Sequence, residues 1–201
     1  MNLSSITSIT LTLLLVATLG GCATGSPVVG GNVQYGDSKA VESVINQFGS
    51  TDLQTIAESM TRSLIQSPVF AKAKQRPLVT VSDVKNKTSE YIDTRSITDS
   101  IRAQMLKSGT VRFAVDNDAM QSQTDELIRQ NQTGLFKKDT VKKIGKMEAA
   151  DFRLEGNITS IVKQSSSLKD VYYKFSLVLV GIESGVIEWA DEKEIRKTSS
   201  R

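Results

Sequence analysis

FRLEGNITSIVKQSSSLKDVYYKFSLVLVGIESGVIEWADEKEIRK, residues 152–197, holds three runs rich in β-branched and aromatic residues, broken by QSSSLKD (164–170) and IESG (182–185). Breaks rich in Ser and Gly turn a chain back on itself, so the stretch reads as three sequential antiparallel strands, the last two a hairpin. Trp189 alternates with Ile187 and Asp191 in the third strand. It reads first as a core residue and second as a protein-binding anchor. Asp191 and Glu192 are adjacent, and adjacent strand residues point to opposite faces, so they do not form an acid/base pair.

Upstream, the pattern changes to helices alternating with single strands. Leu53, Ile56, Ala57, Met60 and Leu64 recur on one helical face, after Ser50-Thr51-Asp52 and before Pro68. LVTVSD (78–83) alternates as a strand, and VKNKTSEYID (84–93) reads as a polar loop. Asp93 or Thr94 starts a helix bearing Ile97, Ile101, Met105 and Leu106, and Gly109 ends it. VRFAVD (111–116) alternates as a second strand, which a parallel crossover would join to the first.

Residues 117–132 form a polar helix carrying Ala119, Met120, Leu127 and Ile128, broken by TGLF. Asp139 then caps a further helix, DTVKKIGKMEAA, with Val141, Ile144 and Met147 inward. On that helix Lys138, Lys142 and Lys146 fall four residues apart and, with Lys137 and Lys143, make a basic stripe. The stripe is a candidate partner-binding surface for an acidic protein, anionic lipid or cell-wall carboxylates; a solvated face is the plainer reading. The order implies one α+β domain over residues 50–201, a mixed, mostly antiparallel sheet of about five strands with flanking helices.

Composition excludes several chemistries. The 201 residues carry 25 Lys plus Arg against 22 Asp plus Glu and no histidine. Near-neutral balance does not suggest a nucleic-acid binder. Without histidine there is no Ser-His or Cys-His nucleophile pair, and no Cys/His zinc site. Ser165-Ser166-Ser167 has no neighbouring base, and no G-x-S-x-G elbow or Gly-rich phosphate loop occurs. Neither a catalytic residue, a metal site nor a cofactor is expected.

The lone cysteine is placed as an address. ITSITLTLLLVATL (6–19) is too short for a spanning helix but fits the apolar region of a signal peptide over residues 1–21. Leu19-Gly20-Gly21-Cys22 resembles the bacterial lipobox, which implies cleavage before Cys22 and acylation of its thiol and amine. Each buried methylene of those chains contributes about 0.8 kcal/mol, enough for stable anchoring. Ala23, where Asp would signal inner-membrane retention, implies the periplasmic face of the outer membrane. Residues 22–49 then read as a lipidated tether, about 30 Å across as a flexible coil and about 90 Å fully extended.

VTVSDVKNKTSEYIDTRSITDSIRAQMLKSG (79–109), GLFKKDTVKKIGKMEAADFRLEGNITSIVKQ (134–164) and DVYYKFSLVLVGIESGVIEWADEKEIRK (170–197) together resemble the LpoB family of penicillin-binding protein activators. The resemblance runs from about residue 78 to 197, and Cys22 matches the family's anchoring cysteine. It implies an outer-membrane lipoprotein that docks on a bifunctional class A penicillin-binding protein and stimulates peptidoglycan synthesis. It also implies a domain similar to the amino-terminal domain of TolB. Two features depart from the best-studied members: residues 23–49 hold a single proline, and the EWADEKEIRK tail follows the broader family. The other class of function left open is a structural or assembly lipoprotein of an envelope or secretion complex.

Overall fold

A computed structural model describes residues 36–41 and 45–200. The signal peptide, Cys22 and most of the tether lie outside them. The unit spanning Lys39–Arg201 holds the described elements: α1 (Ser50–Gln66), α2 (Pro68–Ala71), β1 (Leu78–Lys87), α3 (Thr94–Ser108), β2 (Arg112–Phe113), α4 (Asn117–Gln132), β3 (Phe152–Gln164), β4 (Leu168–Gly181) and β5 (Ile187–Ser200).

One five-stranded sheet runs in the order β2-β1-β3-β4-β5. β1 is parallel to both β2 and β3, while β3, β4 and β5 form an antiparallel meander. The fold is therefore the expected α+β class. Alternation along β4 places Val171, Tyr173, Phe175, Leu177 and Leu179 in the core. β3 adds Leu154 and Ile158 to the same face, and α1 covers it with Ile56, Ala57, Met60 and Leu64. α3 contributes Ile97, Ile101 and Met105. Each buried Val, Leu, Ile, Phe or Met among them contributes about 1.5–3 kcal/mol.

The helix ends follow their local chemistry. The Asp52 carboxylate accepts the Gly49 N–H at 2.8 Å at the start of α1. Asp93 caps α3 by accepting from Ser96 N at 3.2 Å, and Gly109 closes it at φ 71°.

Three expectations are corrected. β1 continues to Lys87 instead of yielding to a loop at Val84. A register shift between Val81 and Val84 breaks the two-residue period, then returns Val84 to the core opposite Gly156. β2 is only Arg112–Phe113, because the chain leaves the sheet so that Asp116 can cap α4 by accepting from Ala119 N at 3.0 Å.

The helix expected over residues 139–150 is absent; the segment is an irregular loop. Gly145 sits at φ 79° within it, and Ile144 and Met147 are 62% and 48% exposed, so no core rewards an inward face. Side chains of α4 take up its backbone instead: Lys142 N donates to Gln130 Oε1 at 3.2 Å, and Asn131 Nδ2 donates to Lys142 O at 2.9 Å.

Residues 46–49, at the end of the expected tether, are bound to the sheet. Asn46 Nδ2 donates to Lys169 O (3.2 Å) and Ser199 Oγ (2.8 Å), and Phe48 N donates to Glu90 Oε2 (3.0 Å). The Phe48 ring meets Tyr173 edge-on at 5.8 Å. The Tyr173 hydroxyl lies 2.6 Å from Glu90 Oε1 and 2.9 Å from Asn46 O. Burial, then the Glu90 contact, push that phenol well above its ordinary pKa, which keeps it a donor. Beside it Lys197 Nζ donates to Gln47 O at 2.7 Å and to Asp52 Oδ2 at 2.5 Å. With Lys197 and Asp52 only 10% and 8% exposed, this is a buried ion pair joining the first helix to the last strand.

Two outcomes test this packing. A Cβ at Gly156 would collide with the Ser176 carbonyl oxygen and stand 2.8 Å from Leu177 Cδ2. Gly156→Ala is expected to cost about 1–3 kcal/mol, read as a lower urea midpoint at unchanged slope. Lys197→Met strands the Asp52 charge and is expected to cost about 3–5 kcal/mol, while the added Asp52→Leu change recovers part of that loss.

Candidate functional site

Asp191 and Glu192 stand on opposite faces of β5, as their register with Leu177 and Ser176 requires. Glu192 is 3.3 Å from Lys174 Nζ, and Asp191 accepts the Glu192 N–H. The Ser165 hydroxyl accepts from Leu168 N at 3.1 Å and closes the β3–β4 turn. Both groups therefore have structural partners. Among the described residues no three His, Cys, Asp or Glu side chains gather into a metal-binding group.

A polar pocket of about 570 Å³ lies beside α3, with Thr94, Arg95, Thr98, Arg102 and Asp116 in its lining. Two carboxylates line it, Asp83 and Asp116, and Asp116 Oδ2 is 2.7 Å from Arg95 Nη2 and 4.0 Å from Arg102 Nη2. The Thr94 and Thr98 hydroxyls donate to the backbone carbonyls of Val84 and Arg95, at 2.8 and 2.9 Å.

What remains are surfaces. The sheet face away from α1 is a charge lattice, with Arg153 on Glu155 (2.9 Å), Lys174 on Glu192 and Arg196 on Asp170 (3.4 Å). The hydrogen bond to Glu194 raises the half-buried Tyr172 phenol's pKa to about 12.

The loop 133–150 carries Lys138, Lys142 and Lys146, all exposed, but in the absence of a helix their four-residue spacing no longer makes a stripe. Leu135, Ile144 and Met147 are exposed among them. The loop is pinned at its ends: Arg129 lies 4.7 Å over the Phe136 ring, and Arg112 is 2.7 Å from Glu148. It presents a basic surface with apolar side chains interspersed.

A third surface is a groove of about 690 Å³ between α1 and β5, with Thr55, Ser59, Arg62, Ser63, Trp189 and Lys193 in its walls. Trp189 packs against the core and also lines this groove, so both readings of it have a place in the structure. Sequence reasoning used only the apolar face of α1 and missed this one. The available signal was Thr55, Ser59, Ser63 and Ser67, small hydroxyl residues spaced four apart beside the apolar row.

Comparison with known proteins gives the family. The family model of the peptidoglycan-synthase activator LpoB matches residues 52–195, more than half of the chain. Among solved structures, the LpoB C-terminal domain from Salmonella enterica is similar at 13% identity and TM-score 0.43, covering 72% of this chain and 98% of that one. The LpoB C-terminal domain from Escherichia coli is similar at 14% identity and TM-score 0.43, with the same coverage. Lipoprotein GNA1162 from Neisseria meningitidis is similar at 16% identity and TM-score 0.38, covering 61% of this chain and 84% of that one. Among curated proteins no sequence match is found. Matched across α1, the sheet and most of β5, the chain belongs to the LpoB family of peptidoglycan-synthase activators.

Proposed function

We propose that this protein is a lipid-anchored outer-membrane lipoprotein that binds a bifunctional class A penicillin-binding protein and activates it allosterically. The family match over residues 52–195 carries the reading. The engaged carboxylates and serines support the view that the domain contributes no catalytic group. Activation is then a shift of the synthase toward its active state, driven by a higher affinity of this domain for that state. Cys22 is the attachment point, and residues 23–45 limit the distance over which the domain searches for its partner.

Within this reading Lys138, Lys142 and Lys146 serve as a steering surface for an acidic region of the synthase. Exposed charges of one sign act mainly on the rate of encounter and weaken with salt. The exposed Leu135, Ile144 and Met147 between them supply apolar contact once the charges have met.

The deciding measurement is polymerisation of lipid-linked precursor by purified class A penicillin-binding proteins of the same bacterium, with and without this protein. Faster glycan synthesis and a stable complex are expected; no binding and no acceleration overturn the reading. Changing Lys138, Lys142 and Lys146 together to Glu is expected to slow association about tenfold at low salt with little change in thermal midpoint. An unchanged association rate returns the lysines to a solvated role. Fractionation of Cys22→Ser is expected to move the protein from the membrane to the soluble periplasm, and membrane retention of this variant removes the anchor.

A further inference from the structure

β5 is the last strand of the sheet, fourteen residues long, and its outer edge makes no backbone hydrogen bond among the described residues. The Glu192 N–H donates instead to the Asp191 carboxylate at 2.7 Å. That amide points away from β4. In an antiparallel ladder, residues face their neighbour and the outside alternately, so the outward amides are those of Ala190, Glu192, Glu194 and Arg196. Beside this edge runs the groove under α1, kept open by Thr55, Ser59 and Ser63 and walled by Trp189. An unpaired edge flanked by a helix-walled groove is the geometry that accepts an added strand: main-chain bonds give affinity, and alternate side chains enter the groove.

Charge selects the occupant. Arg62 and Lys193 line the groove against one carboxylate, Glu58, so its charge is net positive, and none of the three takes part in an ion pair among the described residues. Lys193 is half-buried, so its unpaired charge is the more costly of the two cations. A second copy of this chain fits poorly. Antiparallel two-fold pairing of β5 about Lys193 or Glu194 sets Lys193 on Lys193 or Glu194 on Glu194.

We infer that β5 and the α1 groove receive an extended segment of the partner protein, added as a sixth strand, with a carboxylate between Arg62 and Lys193 and an apolar side chain on Trp189. Trp189 and Lys193 are four residues apart on one face. The segment therefore carries its acidic and apolar residues four positions apart, and the position between them, beside Asp191, is not acidic. That the segment belongs to a synthase rests on the function proposed above; the edge and the groove do not.

The test is amide hydrogen exchange on the full chain purified in detergent. The probes are a Thr/Val-rich twelve-residue peptide with Glu and Leu four positions apart, the same peptide with Lys for Glu, and the class A synthase. The Glu peptide and the synthase are expected to slow exchange at Ala190, Glu192, Glu194 and Arg196 by about tenfold or more. Arg62→Glu with Lys193→Glu is expected to weaken both by about tenfold and to strengthen the Lys peptide.

If the synthase binds the double variant as it binds wild type and β5 exchange is unchanged, the inference falls and the activator reading stands. Protection by the Glu peptide without synthase binding does the opposite: the strand-accepting edge stands and the activator reading falls. No protection by any probe overturns the inference. So does slow β5 exchange in the free chain that turns fast when residues 23–44 are deleted, since the chain's own linker would then be the occupant. Should the double variant fail to fold, exchange on the wild-type protein still decides: synthase binding that leaves β5 exchange unchanged overturns the inference.

Discussion

Val171, Tyr173, Phe175, Leu177 and Leu179 stand on one side of β4, and the rest of the domain is arranged to keep that row from water. β3 and β5 pair with β4 along nearly all of its length, so its backbone groups are satisfied on both sides. α1 and α3 then close over the row with their own apolar faces. The demand for closeness is visible at Gly156, where β3 meets β4 and only a hydrogen fits beneath the Ser176 carbonyl. The parallel half of the sheet follows from the same burial. β1 joins β3, and Val84 regains the core after the bulge.

Tyr173 shows how the row also organises the entrance to the domain. Its ring belongs to the core, while its hydroxyl reaches Glu90 and the backbone of Asn46. Together with the Asp52–Lys197 pair, this ties the incoming chain to β4, β5 and the β1–α3 turn at one end of the sheet. Buried polar contacts of this kind penalise alternatives more than they add stability, because any misplacement leaves a charge or a donor unpaired. The chain therefore enters the sheet at one defined place.

The functional surfaces are what this packing leaves over. With α1 and α3 on one side of the sheet, the other side carries alternating charges. The packing also leaves an open edge at β5 and a long excursion between α4 and β3. Each presents charged and apolar side chains to solvent.

Periodicity and end signals determined most of the fold. The alternation in VYYKFSLVLV, the apolar faces of α1 and α3, Asp93, Gly109 and the Ser- and Gly-rich turns are local, and each is expressed within a few residues of where it is read. Excluded chemistry was equally legible, since a chain without histidine loses it wherever it folds. The bulge in β1, the two-residue length of β2 and the missing helix at 139–150 were decided only in three dimensions. β2 was cut short by the cap that Asp116 gives α4. At the bulge and at 139–150 the local pattern was overridden by whether a distant surface offered burial: Val84 found β3, whereas Ile144 and Met147 found nothing. The lysines read as a stripe became a loop for that reason. The groove between α1 and β5 joins residues more than a hundred positions apart, so no reading of either segment alone contains it.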